Sequence, residues 1–269
     1  MRDYPVAENL SLTRADGRLD LTFNRPDRRN ALTHRMMDEI GAVLAVARDD
    51  PDVRVVVLRG AGGNFCAGGD LDAMADLPPT PPPGAPDPLV APYRAYGDVL
   101  AALNRLPQAV VAVVEGAAVG GGLGMACCSD VVIARADAKF GMPEPRVGFI
   151  PSQIIPFVVR RIGEGHARRL AVTGRVIDGR AGVDIGLVHH CCDDDAALDA
   201  ALGQALTDIL ACEPAALATV KRLVLSVDDR PDVAVMDDAA DSLAALLRQP
   251  AAQAGIDAFM AKRRPPWAG

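Results

Sequence analysis

The chain has 269 residues, half of them hydrophobic, and a formal net charge of −7 at pH 7. That length allows one large domain or two small ones around a sizeable core, and an acidic chain without a clustered basic face does not offer a nucleic-acid surface. The first residues, MRDYPVAENL, hold no apolar signal region and no apolar run reaches membrane length, so a cytoplasmic chain with no membrane span is expected. Cys66, Cys127, Cys128, Cys191, Cys192 and Cys212 make no C-x-x-C pair, which points to reduced core thiols and no metal site. His34, His166, His189 and His190 show neither ligand spacing nor a G-x-S-x-G partner, which excludes a hydrolase triad.

In chain order, Leu19, Leu21 and Phe23 alternate with polar residues and read as a half-buried strand ending at Asn24-Arg25-Pro26. Thr33 caps a helix in which Met37, Ile40, Val43 or Leu44, and Ala47 recur until Asp49-Asp50-Pro51. Arg25, Arg28 and Arg29 precede it, open to two readings, phosphate contacts or solvated charges. Val53–Leu58 is a second strand, followed by a glycine loop and NFCAGGDL, where a further helix starts. The stretch Leu77 to Pro92 is so dense in proline that helix and central strand are excluded. It is either a wall facing the substrate or a passive insertion. Tyr93–Leu106 reads as an amphipathic helix.

Ala109 to Gly124, AVVAVVEGAAVGGGLG, is a β-branched strand running into glycines and a helix of small residues. Backbone N–H groups at such a turn converge with the positive end of the helix dipole and suit an oxygen that gains negative charge. The alternative is close helix packing on small residues. The loop ending in Gly68-Gly69 repeats the same architecture, and two such turns at one sheet edge can meet at one carbonyl oxygen. Met125–Ser129 continues as helix and Val131–Ala134 as strand. Glu144 then stands between Pro143 and Pro145, which predicts an extended, stiffened loop and a carboxylate fixed among Phe140, Met142, Val147, Phe149 and Ile150. Such a group is a candidate base with a raised pKa. Ile154–Arg161, Glu164–Thr173 and Asp178–Ile185 read as helices. The alanine-rich remainder, Ala196–Ala211, Ala215–Ser226, Val233–Leu247 and Ala251–Lys262, reads as helices that pack on the core or on another subunit.

Six segments in order, NRP with RNAL at 29–32, FCAGGDL, GAAVGGGLGMACCSD, KFGMPEPRVGFIP, LAVTGRVID and FMAKRRPPW, resemble the enoyl-CoA hydratase/isomerase (crotonase) superfamily over essentially the whole chain. The resemblance implies an α/β fold, a spiral of ββα turns over residues 1–194 carrying an acyl-CoA site, with a helical part over 195–269 that drives assembly to a homotrimer or homohexamer. It implies an acyl-CoA thioester as partner and no separate cofactor. The thioester oxygen would be held by the N–H groups of Gly69 and Gly121, with Glu144 catalytic. Arg28, Ala31, Ala67, Asp70 and Leu71 would lie along the CoA path, and Phe259 and Lys262 in a C-terminal segment reaching a neighbour's CoA. One departure stands out: Gly124 occupies the position of the first of the two glutamates usual in hydratases. A single carboxylate resembles the enoyl-CoA isomerases. The GGGxG pattern with IPSQIIPFVVRRIG also resembles bacterial hydratases of branched glutaconyl-CoA substrates. A second contact to water then has to come from elsewhere, Ser152 and Gln153 being the candidates. The reading is a hydratase, with a double-bond isomerase and a non-catalytic CoA-thioester-binding protein as alternatives.

Overall fold

The computed structural model describes residues 2–75 and 77–268. Met1, Asp76 and Gly269 lie outside them, so the expected regions are described over 2–194 and 195–268. The strands are β1 Leu10–Ala15, β2 Arg18–Phe23, β3 Val55–Gly60, β4 Ala109–Val114, β5 Ala117–Val119, β6 Val131–Arg135, β7 Lys139–Gly141, β8 Val176–Asp178 and β9 His190–Cys192. The helices are α1 His34–Arg48, α2 Leu71–Ala75, α3 Val90–Asn104, α4 Gly121–Cys128, α5 Ile155–Thr173, α6 Gly179–Asp184, α7 Asp195–Leu210, α8 Pro214–Ser226, α9 Asp232–Leu247 and α10 Pro250–Met260.

A six-stranded sheet, in the order β1-β2-β3-β4-β6-β9, is parallel except for the β1–β2 hairpin. That hairpin turns on Asp16 and Gly17, both at positive φ, the geometry that matches strand twist in a two-residue loop. The continuous apolar runs of β3 and β4 are covered on both faces, as parallel strands require. Val56, Leu58, Val110, Ala112 and Val114 join α1 and α3 in the larger core. Val55, Val57, Val111 and Val113 face the opposite way, onto Leu198, Leu202 and Ala205 of α7. So α7 shares a core with the sheet, and the part that extends beyond it is α8 to α10, where Ala258 is the buried residue among those described. A second, three-stranded sheet, β5-β7-β8, stands at the edge where the glycine turns lie.

Most expected elements lie where the periodicity puts them. Thr33 caps α1 by accepting from the Met36 N–H at 3.2 Å. The two helices expected over 154–173 are one run, α5, broken at Gly163 by its positive φ. Helix α3 begins at Val90, three residues early, because its first turn leaves N–H groups unpaired in any case and tolerates Pro92. The proline-rich stretch before it has no regular structure over 77–89. No helix among the described residues is long and apolar enough to cross a membrane. All six cysteines are free, and burial pushes the Cys66 and Cys127 thiols up to about 12.

Candidate active site

Three loops meet at one sheet edge, and Asn30 joins two of them. It is fully buried in a left-handed conformation that asparagine tolerates. Its Oδ1 accepts from the Arg25 N–H at 2.8 Å, and its Nδ2 donates to the carbonyls of Ala61 and Asn64 at 2.9 and 2.6 Å. Asn64 Oδ1 in turn accepts from the Ala117 N–H at 3.1 Å, and the Cys66 N–H donates to the Ala117 carbonyl at 2.7 Å. The segments 24–32, 60–70 and 115–121 are thereby sewn together, so the two glycine turns expected at a common edge are brought together there.

Gly68, Gly120 and Gly122 are buried, while Gly69 and Gly121 keep partial exposure between them. Gly121 is the first residue of α4 and its N–H has no partner within the helix. The Gly69 N–H donates to no backbone carbonyl among the described residues, although its neighbours do: Leu32 N–H to the Gly68 carbonyl at 2.8 Å and Asp70 N–H to the Leu32 carbonyl at 2.9 Å. Close packing accounts for part of the glycine run. Gly122 packs on Cys66, whose Cβ stands 2.8 Å from where a Gly122 Cβ would be, whereas Gly120 leaves room for a functional group.

That group is Glu144. Its Oε1 stands 2.6 Å from where a Cβ on Gly120 would be, and its buried Oε2 has no hydrogen-bond partner among the described residues. Burial pushes the carboxyl above the usual carboxylate range, with its own backbone N–H pulling the other way. Its backbone differs from the expected extended loop: Glu144 opens a short 3-10 turn, Glu144–Val147, closed by Gly148 in the left-handed region. Proline at the second position of that turn costs no hydrogen bond and already has helical φ. The turn also changes the surroundings. Phe140 and Met142 wall the site from the core, but Val147, Phe149 and Ile150 are exposed, at 60%, 46% and 75%, and form an open apolar rim.

Gly124 is bare for a visible reason. A Cβ there would overlap Ile154 Cγ2 and lie 2.9 Å from Ile154 Cβ, and Ile154 is itself buried. Of the two sequence candidates for a second water contact, Ser152 is exposed and Gln153 turns its Oε1 onto Gly97 of α3. Sequence reading does not reach Tyr96, one of two tyrosines in an amphipathic helix with no motif around them. Its hydroxyl donates to the Gly121 carbonyl at 2.7 Å. It lies 2.8 Å from where a Gly121 Cβ would be and 3.4 Å from that of Gly124.

The residues expected along a CoA path divide. Asp70 is buried and its carboxylate holds Arg25 at 2.9 Å and Arg28 at 3.1 Å; Arg28 also pairs with Asp72. The arginines are therefore tied to the loop rather than merely solvated, and Asp70 acts by fixing them. Ala31 is buried, Ala67 half-buried and Leu71 exposed at the same loop. Phe259 lies elsewhere, in a groove of about 790 Å³ between α8, α9 and α10 with Leu246, Ile256, Met260 and Trp267. Lys262 follows that helix.

The enoyl-CoA hydratase/isomerase family model matches residues 14–269. The chain is 32% identical over 255 residues to a 1,2-epoxyphenylacetyl-CoA isomerase of Escherichia coli (strain K12), spanning 94% of this chain and 95% of that one. A solved enoyl-CoA hydratase/isomerase of Marinobacter aquaeolei shares its fold with a TM-score of 0.94 at 42% identity, over 98% of this chain and 100% of that one. AtuE of Pseudomonas aeruginosa does so with a TM-score of 0.92 at 45% identity, over 97% and 100%. The paired glycine turns, the spiral that carries them and the full-length matches agree: the chain belongs to the enoyl-CoA hydratase/isomerase (crotonase) family and is an acyl-CoA-processing enzyme.

Proposed function

We propose that this enzyme is an enoyl-CoA hydratase acting on a branched or carboxylated α,β-unsaturated acyl-CoA. The observation that carries the reading is Glu144, a desolvated carboxylate with a buried oxygen that has no partner among the described residues, set against the glycine turn at Gly120. As water attacks the β-carbon, Glu144 takes its proton and negative charge moves to the thioester oxygen. The Gly69 and Gly121 N–H groups receive that charge, each worth roughly 3 kcal/mol in the transition state. The enolate then collapses, Glu144 returns a proton to the α-carbon, and one water has been added with no separate cofactor. Coenzyme A is part of the substrate, with Arg28, Ala31, Ala67, Asp70 and Leu71 along its path.

A second reading, migration of the double bond, has its own support: one carboxylate suffices to move a proton between two carbons, and Ile154 fills the room a second would need. We also propose that the exposed apolar faces of α8 to α10, with Val224, Met236, Leu243 and Phe259, are covered in a homotrimer or homohexamer. There Phe259 and Lys262 reach a neighbour's CoA. Incubation with crotonyl-CoA, 3-methylglutaconyl-CoA and a 3-enoyl-CoA, with products resolved by mass, tests the reaction. Hydration of the branched, carboxylated ester above crotonyl-CoA supports the first reading; isomerisation alone replaces it with the second.

A further inference from the structure

We infer that Tyr96 holds the attacking water together with Glu144, taking the hydrogen that Glu144 does not. The inference rests on the hydratase reading above. A water that attacks carbon must give one hydrogen to a base and have the other fixed, or its lone pair is not aimed. Glu144 supplies one acceptor, and position 124 carries no side chain. The thiols of Cys66, Cys127 and Cys128 stay protonated through burial and accept only weakly.

The Tyr96 hydroxyl is different in kind. Its proton is committed to the Gly121 carbonyl at 2.7 Å, so toward the site it presents lone pairs only. Burial, with the Glu144 charge acting in the same direction, holds it well above the usual phenol range, so it remains a neutral acceptor and does not compete as a base. Glu144 Oε1 stands 2.6 Å from the Cβ position of Gly120, and Tyr96 Oη 2.8 Å from that of Gly121. The two oxygens thus flank consecutive glycines, the second of which carries the N–H proposed to hold the thioester oxygen. The step balances with no further group: one water proton goes to Glu144, the oxygen bonds to the β-carbon, the electron pair of the double bond moves to the thioester enolate, and the proton on Glu144 goes to the α-carbon. Tyr96 gives up no proton.

Tyr96→Phe keeps the ring and removes the oxygen, and two reactions separate its roles. Hydration needs the water, whereas solvent-deuterium exchange at the α-carbon of a saturated acyl-CoA needs only Glu144 and the two N–H groups. We expect kcat for hydration to fall about tenfold, the rate worth of one well-made hydrogen bond, with KM and the exchange rate within about threefold of wild type. Equal hydration by both proteins overturns the inference. So does a parallel fall in hydration and exchange, because that is what displacement of Gly121 alone would cause. A wild-type enzyme that exchanges the α-proton yet hydrates no enoyl-CoA refutes the hydratase reading itself, and this role with it.

Discussion

Gly124→Ala is the smallest change that probes why the site has one carboxylate. The added methyl would overlap Ile154 Cγ2 and stand 2.9 Å from Ile154 Cβ, in a place where Ile154 is 2% exposed and has little room to turn. Replacing a helical glycine by alanine gains up to about 1 kcal/mol, whereas forcing a methyl into a packed core costs about 1–3 kcal/mol, so a net loss of up to about 2 kcal/mol is expected. Ile154→Ala alone leaves a cavity and should cost about 2–5 kcal/mol. Together the two changes relieve each other, and the pair should be more stable than the sum of the singles by about 1–2 kcal/mol. Urea unfolding of the four proteins measures the cycle. Additivity to within about 0.5 kcal/mol would refute the claim that Ile154 occupies the space next to Gly124. By the same geometry Gly124→Glu should not raise crotonyl-CoA hydration unless Ile154 is also cut back.

Glu144→Gln should lower kcat by about 10²–10⁴-fold while leaving CoA-ester binding in place. Because burial raises the folded carboxyl's pKa, the stability this group contributes is present below its unfolded pKa and lost as pH rises through the folded one. The glutamine variant should therefore melt above wild type at about pH 7, with the gap closing as pH falls to about 4; a gap independent of pH would contradict the desolvated site. Asn30→Ala strands the Arg25 N–H and the Ala61 and Asn64 carbonyls, so thermal or urea unfolding should show a loss of about 1–3 kcal/mol or more, and a loss below about 0.5 kcal/mol would mean that Asn30 does not hold the loops together. Light scattering should find a trimer or hexamer, and Lys262→Ala should weaken CoA affinity; a monomer with unchanged affinity would rule out a site completed by a neighbour.

The parts of the fold that sequence makes legible are those governed by one local rule. Alternation marks β2, helical spacing with a capping Thr33 marks α1, and β-branched runs mark β3 and β4. Sequence analysis does not reach β1, although the Asp16-Gly17 pair that closes its hairpin is itself a turn signal. Strands β5, β7 and β8 have three residues each, too few for any period to show, and they are strands because they pair with one another across distant parts of the chain. The site divides in the same way. Glu144 and the two glycine turns announce themselves by composition, but the conformation of Glu144 depends on a 3-10 turn that two prolines permit rather than forbid. Tyr96 and Ile154 are invisible locally: each acts on Gly121 or Gly124 only after α3 and α5 have packed against α4.

Water addition is what separates a hydratase from a double-bond isomerase at this site. The most direct measurement is wild-type turnover of 3-methylglutaconyl-CoA, crotonyl-CoA and a 3-enoyl-CoA in water labelled with heavy oxygen, followed by mass analysis of the acyl products. The hydratase account predicts heavy oxygen in a hydroxyacyl-CoA formed fastest from the branched, carboxylated ester and slowly from crotonyl-CoA. Rapid migration of the 3-enoyl double bond with no heavy oxygen in any product would contradict it.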